Sequence, residues 1–67
     1  MTRQKLGERL RELRRGLGWT QDDLAHELDV SQALVSLWES GAHAPSWDNL
    51  NGLAVVLETP LSVLTED

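Results

Sequence analysis

Side chains able to read the edges of DNA bases lie close together in the middle of the chain, between residues 32 and 36. The Gln32 amide can pair with N6 and N7 of adenine at the same time, because it carries both donors and an acceptor. Ser36 can hydrogen-bond to either type of base, and the Ala33 methyl group can contact the methyl group of thymine. Such residues can read DNA together if one helix presents them to the major groove.

Other kinds of chemistry find little support in the sequence. His26 and His43 are 17 residues apart and the chain has no cysteine, so we expect no metal site. No paired carboxylates, nucleophile with an adjacent base, or phosphate-binding loop can be assembled. We therefore expect a protein that is not an enzyme and that takes no cofactor, metal or small-molecule substrate.

The charge and length of the chain limit its class. Its 67 residues are expected to form a single domain, residues 1–67. The net charge of −5 argues against loose, charge-driven binding to nucleic acid. All six basic residues lie between Arg3 and Arg15, so a basic first helix precedes an acidic remainder. With no cysteine, no apolar run of roughly 18 residues and no signal peptide, the chain is expected to be cytoplasmic and not to enter a membrane.

Apolar residues recur at helical spacing in five segments, which predicts five helices. Small polar residues that can cap a helix precede the first four: Thr2, Thr20, Ser31 and Ser46. Pro60 is expected at the first position of the short fifth helix. Gly7 is expected to weaken the first helix by up to about 1 kcal/mol relative to alanine. The residues expected to face inward are Leu6, Leu10, Leu13, Leu17, Leu24, Ala25, Leu28, Val35, Trp38, Leu50, Leu53, Ala54, Leu57, Leu61 and Leu64, with Trp19 and Leu34 half-buried beside them.

Residues 20–40 have the layout of a helix-turn-helix, because two short capped helices are joined by a turn of three or four residues. The chain resembles the Cro/C1-type helix-turn-helix family over about residues 5–65. The matching pieces are "LGERLRELRRGLGWTQ", "DLAHEL", "VSQALVSLWESG", "PSWDNLNGLAVVL" and "PLSVL". This resemblance implies an all-α, five-helix lambda-repressor-like domain with its helix-turn-helix in helices 2 and 3. It also implies a repressor-like regulator that binds a palindromic DNA operator as a homodimer.

The resemblance assigns roles to individual residues. It implies base contacts from Gln32, Ala33, Ser36 and Leu37. Contacts to DNA phosphates are expected from Thr20, Gln21, Ser31, Arg14, His43 and Arg3. A dimer interface is expected at Trp47, Leu61 and Leu64. An ion pair between Arg14 and Glu39 is also implied, worth only about 0–1 kcal/mol as a surface pair. Arg3, Lys5, Arg9 and Arg11 are expected to form a solvated face, and Arg3 is the one of this group expected to reach a phosphate.

Several positions depart from the family pattern and support an alternative. Asp29 stands where glycine is usual, and Leu37 where a long polar or basic side chain is usual. The loop after Gly41 has no Lys or Arg, so the DNA-facing surface lacks its usual cations. Leu37 could contact thymine methyl groups or a protein partner. The alternative is therefore a protein-interaction module on the same fold with weak or no DNA binding.

Overall fold

A computed structural model describes residues 2–66, so Met1 and Asp67 of the expected domain lie outside the described residues. Five α-helices, and no strand, are present in this range. The helices are α1 (Arg3–Gly16), α2 (Gln21–Leu28), α3 (Gln32–Ser40), α4 (Trp47–Val56) and α5 (Leu61–Thr65). The all-helical class, and the placing of the helix-turn-helix in the second and third helices, are confirmed.

The helix starts follow the predicted caps, with one exception. Thr2, Thr20, Ser31 and Ser46 each accept a hydrogen bond from the backbone amide three residues later. Asp23 completes the capping box by accepting from the Thr20 amide at 2.8 Å. The prediction for Pro60 was wrong by one position, because its ψ of 143° is extended and the helix begins at Leu61.

The turn between α2 and α3 passes through Asp29 in the left-handed conformation, with φ 57° and ψ 44°. A glycine would adopt this conformation without a steric penalty, whereas aspartate tolerates it less well. The turn is short, because only Asp29, Val30 and Ser31 lie between the end of α2 at Leu28 and the start of α3 at Gln32.

A single core lies between the helices, and its fully buried side chains are Leu10, Leu24, Val35, Trp38, Leu53 and Leu64. Trp19 and Leu34 are half-buried against this core, as predicted. Leu17 was expected in the inner stripe of α1, but it caps the helix end and is exposed. The core thus fixes the orientation of α3 through Val35 and Trp38.

Gly7 lies where α1 crosses α3 at very close range. A Cβ atom at this position would be 2.5 Å from the carbonyl oxygens of both Trp38 and Glu39. Such a contact is too short for any side chain, so the backbone of α3 can approach α1 only because residue 7 is glycine. The sequence indicated only the helix-weakening effect of this residue.

Arg9 ties the end of the chain to α1. Its Nη1 atom donates to the carbonyl oxygens of Val63 at 2.8 Å and Glu66 at 2.6 Å. The expectation of a solvated Arg9 was therefore wrong, because the carbonyls at the end of α5 need donors and Arg9 supplies them. Within residues 2–66, no helix is long and apolar enough to cross a bilayer.

Candidate nucleic-acid interface

The four predicted base-contacting residues lie on the outer side of α3. Gln32, Ala33 and Leu37 are exposed and Ser36 is half-buried, whereas Val35 and Trp38 of the same helix face the core. Gln32 and Ser36 are four positions apart, as are Ala33 and Leu37, so the four side chains form two neighbouring rows on one surface of the helix. We call the surface formed by Gln32, Ala33, Ser36 and Leu37 the reading face.

A chain of hydrogen bonds holds the Gln32 amide in a fixed orientation. Its Nε2 atom donates to Gln21 Oε1 at 2.6 Å, and Gln21 Nε2 donates to Glu39 Oε1 at 3.1 Å. Gln32 keeps its Oε1 acceptor and the second hydrogen of Nε2, because only one of its donors is used. These two free groups are the pair that adenine requires.

Glu39 is held in turn by Arg14. Arg14 Nε lies 2.6 Å from Glu39 Oε2 and Nη2 lies 2.9 Å from Oε1, while Nη1 donates to the Trp19 carbonyl at 2.8 Å. The predicted ion pair is confirmed, but it is not a surface pair, since the side chains are only 8% and 0% exposed. Arg14 is also corrected as a phosphate contact, because its three guanidinium nitrogens are engaged and buried.

The electrostatics of this pair keep both groups charged. Burial alone would raise the pKa of Glu39, but hydrogen bonds from Arg14 and Gln21, together with the charge of Arg14, outweigh it and lower the pKa. The pKa of Arg14 is raised, chiefly by its hydrogen bond to Glu39. Arg11 adds a longer contact, with Nε 3.5 Å from Glu39 Oε1. A full ion pair therefore lies directly behind the amides of Gln21 and Gln32.

The remaining phosphate candidates lie around the reading face. The hydroxyl groups of Thr20 and Ser31 accept from backbone amides and fix the starts of α2 and α3. Arg3 Nη1 lies 3.4 Å from the Ala42 carbonyl, which puts a cation beside the loop that carries the exposed His43. Two groups that can carry positive charge thus adjoin one edge of the interface, although the loop itself has no Lys or Arg.

The residues predicted for a dimer interface separate into different environments. Trp47 is 65% exposed at the start of α4, and Leu61 is half-buried against the core. Leu64 is fully buried, so its predicted role is wrong: it anchors α5 and is not accessible to a second chain. Val55, which sequence reasoning missed, is 75% exposed on α4.

Comparisons with known proteins agree with this geometry. Residues 5–66 match a family described as a helix-turn-helix domain. The chain is 41% identical over 63 residues to the HTH-type transcriptional regulator DicA of Escherichia coli; the match covers 92% of this chain but only 47% of DicA. The chain therefore spans about half the length of that relative.

Two solved structures are also similar. The restriction-modification controller protein C.AhdI from Aeromonas hydrophila superposes with a TM-score of 0.87 at 34% identity, covering 92% of this chain and 94% of C.AhdI. PlcR from Bacillus thuringiensis, in complex with the peptide PapR7 and DNA, gives a TM-score of 0.87 at 38% identity, covering 94% of this chain and 22% of PlcR.

Proposed function

The chain belongs to the Cro/C1-type helix-turn-helix family, and we propose that it is a sequence-specific transcriptional regulator that reads DNA with α3. The observation that carries this proposal is the orientation of Gln32 by Gln21 and Glu39, which leaves one donor and one acceptor free on the reading face. An amide held in this way loses little side-chain entropy when it binds a base. Residues 1–67 would form a single DNA-binding domain, acting on operator DNA in the cytoplasm.

In this proposal the N-terminal half of α3 enters the major groove. Gln32 pairs with adenine, Ala33 contacts a thymine methyl group, and Ser36 hydrogen-bonds to a neighbouring base. The DNA in the PlcR complex supports the assignment, because PlcR shares the fold at 38% identity. The binding of DNA is a property of PlcR, and its extension to this chain is part of the proposal.

The phosphate contacts come mainly from neutral groups. The backbone amides at the starts of α2 and α3, where Thr20, Gln21 and Ser31 lie, present positive partial charge to a phosphate. At the edge next to the loop, Arg3 adds positive charge and the exposed His43 imidazole adds a hydrogen-bonding group. Arg14 is left out, and it serves instead to position Glu39.

Truncation of Gln32 tests the base contact. We expect Gln32→Ala to weaken binding to a selected operator about 5- to 150-fold, because a bidentate base contact contributes about 1–3 kcal/mol of discrimination. Binding to an unrelated duplex should change little. The measurement is fluorescence anisotropy with an operator selected from random double-stranded DNA, at several salt concentrations. We expect the logarithm of the association constant to fall with the logarithm of the salt concentration, with a slope of about −2 to −5 per dimer, since few cations face the DNA.

The matched control is Gln4→Ala, which removes the same amide from an exposed position on α1 outside the reading face. It should leave the ratio of operator to non-specific affinity unchanged. Equal operator affinities for the native protein and Gln32→Ala would contradict the proposed role of Gln32.

We further propose that the protein acts as a repressor and binds a palindromic operator as a homodimer. Its two recognition helices would then lie about 34 Å apart, in successive major grooves. Trp47 and Val55 offer exposed apolar surface on α4 for the interface, and Leu61 at the start of α5 is half-buried. Tryptophan is one of the residue types enriched among those that dominate binding energy at protein interfaces.

Trp47→Ala should shift the protein towards monomer. We expect the association constant to fall tenfold or more, since truncating an anchor of this kind commonly costs over about 1.4 kcal/mol. Sedimentation equilibrium at concentrations on the order of tens of micromolar measures the change. Leu37→Ala, which removes exposed apolar surface from the reading face instead, is the control. A native protein that is wholly monomeric in this range would contradict the proposed interface.

A second candidate function is a protein-interaction module with little affinity for DNA. The exposed apolar Leu37 and the absence of any Lys or Arg after Arg15 favour it. Failure of the selection to enrich any duplex, even at low salt, would support this alternative over the first.

A further inference from the structure

The reading face has a polar edge and an apolar edge. Gln32 lies on the edge next to α2, as its hydrogen bond to Gln21 shows. Ala33 and Leu37 are four residues apart and therefore form one row along the other edge. The Leu37 carbonyl accepts from the amides of Ala42 and His43, so this row borders the loop after α3.

The side chains of the apolar edge cannot hydrogen-bond to a base. Neither Ala33 nor Leu37 has a polar atom in its side chain, and the half-buried Leu34 lies beside them. Leu37 is nevertheless 38% exposed, so it is a large apolar side chain left in contact with solvent. A polar group of a base placed against Leu37 would lose its hydrogen bonds to water and gain none. The part of the base that contacts Leu37 must therefore be apolar.

Only one such group is present in the major groove. The C5 methyl group of thymine is the apolar feature of the four base pairs there. Cytosine presents a hydrogen at the same carbon, and methylation of cytosine at C5 puts an equivalent methyl group in that place. A protein that reads this feature therefore distinguishes thymine and 5-methylcytosine from unmodified cytosine.

We infer that Leu37 is a specificity-determining residue that reads a C5 methyl group in each operator half-site, so that operator affinity depends on base methylation. This inference rests on the proposed function, because it takes α3 as the helix in the major groove. It assigns to Leu37 the DNA contact rather than a protein partner, because the residue is continuous with Ala33 and Ser36 on the reading face.

Synthetic duplexes with single-group changes test the inference. Thymine in the selected operator is replaced, one position at a time, by deoxyuridine, which lacks only the methyl group. We expect one symmetric position at which both replacements together weaken binding by roughly 15-fold, about fourfold per methyl group. A cytosine at this position should bind weakly, and 5-methylcytosine should bind more tightly than cytosine by a similar factor.

Leu37→Ala assigns the effect to this side chain. The variant should fold normally, because the residue is exposed, and its circular dichroism spectrum and unfolding midpoint check this. At the position in question it should bind thymine and deoxyuridine duplexes with nearly equal affinity. Leu17→Ala, which shortens an exposed apolar residue at the end of α1, outside the reading face and the proposed dimer interface, should keep the native preference for the methyl group.

Three results would overturn the inference. The first is that deoxyuridine weakens binding at no position. The second is that replacing thymine by deoxyuridine weakens the binding of Leu37→Ala as much as that of the native protein. The third is that duplexes with cytosine and with 5-methylcytosine bind equally well. If Gln32→Ala still weakens operator binding in those cases, the proposed function stands and only the role of Leu37 fails. If no duplex can be selected at all, both the proposed function and this inference are contradicted.

Discussion

Gly7→Ala is expected to destabilise the domain by about 2–3 kcal/mol, the range typical of overpacking a close contact. Helix propensity alone predicts the opposite sign, because alanine favours a helix over glycine by about 1 kcal/mol. The added Cβ would lie 2.5 Å from the backbone carbonyl oxygens of Trp38 and Glu39. These are backbone atoms in the last turn of α3 and cannot move without displacing the end of the helix, so the steric effect outweighs the propensity.

Gly16→Ala is the matched control for this substitution. Gly16 is the last residue of α1, and a Cβ atom there would meet nothing within 4 Å. We expect it to stabilise the domain by a few tenths to about 1 kcal/mol, through propensity alone. Urea unfolding followed by circular dichroism compares the two variants. A Gly7→Ala protein as stable as the native protein would show that α1 and α3 do not pack as closely as described.

The helix boundaries could be predicted from the sequence because capping is local. A serine or threonine needs only the backbone amide three residues later, and each of the four predicted caps has that partner. The exposure of Leu17, and the lack of any exposed surface on Leu64 for a dimer interface, could be predicted less well. Both depend on where helix ends meet other helices, and spacing along one helix does not contain that information.

The residues of the site could be predicted individually, but the hydrogen bonds that join them could not. The resemblance identified Gln21, Gln32 and the Arg14–Glu39 pair as separate features. Their connection into one hydrogen-bonded chain depends on distances between α1, α2 and α3 that no local pattern encodes. For the same reason the pair was expected at the surface, although α1 and α3 in fact cross closely enough to bury it.

The close crossing at Gly7 and the orientation of Gln32 are consequences of one packing arrangement. Glu39 is adjacent to Trp38, and the carbonyl groups of both residues contact Gly7. The side chain of Glu39 then reaches Arg14 on α1 and Gln21 on α2. A change in the α1–α3 distance therefore alters the support for the Gln32 amide, so under the proposed function stability and DNA recognition should be coupled here.

Glu39→Ala or Arg14→Ala should each destabilise the domain by about 3–5 kcal/mol, because each leaves a buried charge without its partner. A domain of this size has a free energy of unfolding of only roughly 3–10 kcal/mol, so these variants lose a large part of their stability. Arg14→Lys is the milder test. Lysine keeps the charge but cannot reproduce the two contacts to Glu39 and the third to the Trp19 carbonyl. We expect it to cost about 2 kcal/mol and to remain folded.

The pH dependence of stability distinguishes this pair from ordinary packing. The folded-state pKa of Glu39 is lowered, so the carboxylate contributes stability that is fully present above its unfolded pKa of about 4.3. This stability is lost as the pH falls through the lower folded-state value. Glu39→Gln has no carboxylate at this position, so its free energy of unfolding should fall less steeply than that of the native protein below about pH 4.5.

Glu12→Gln, which neutralises an exposed carboxylate on α1, serves as the control for net charge and should follow the native profile. Urea unfolding from pH 7 to pH 3 measures all three profiles. Parallel curves for the native protein and Glu39→Gln would mean that the charge of the Glu39 carboxylate adds no stability. The role of the buried ion pair would then be only to orient Gln21 and Gln32.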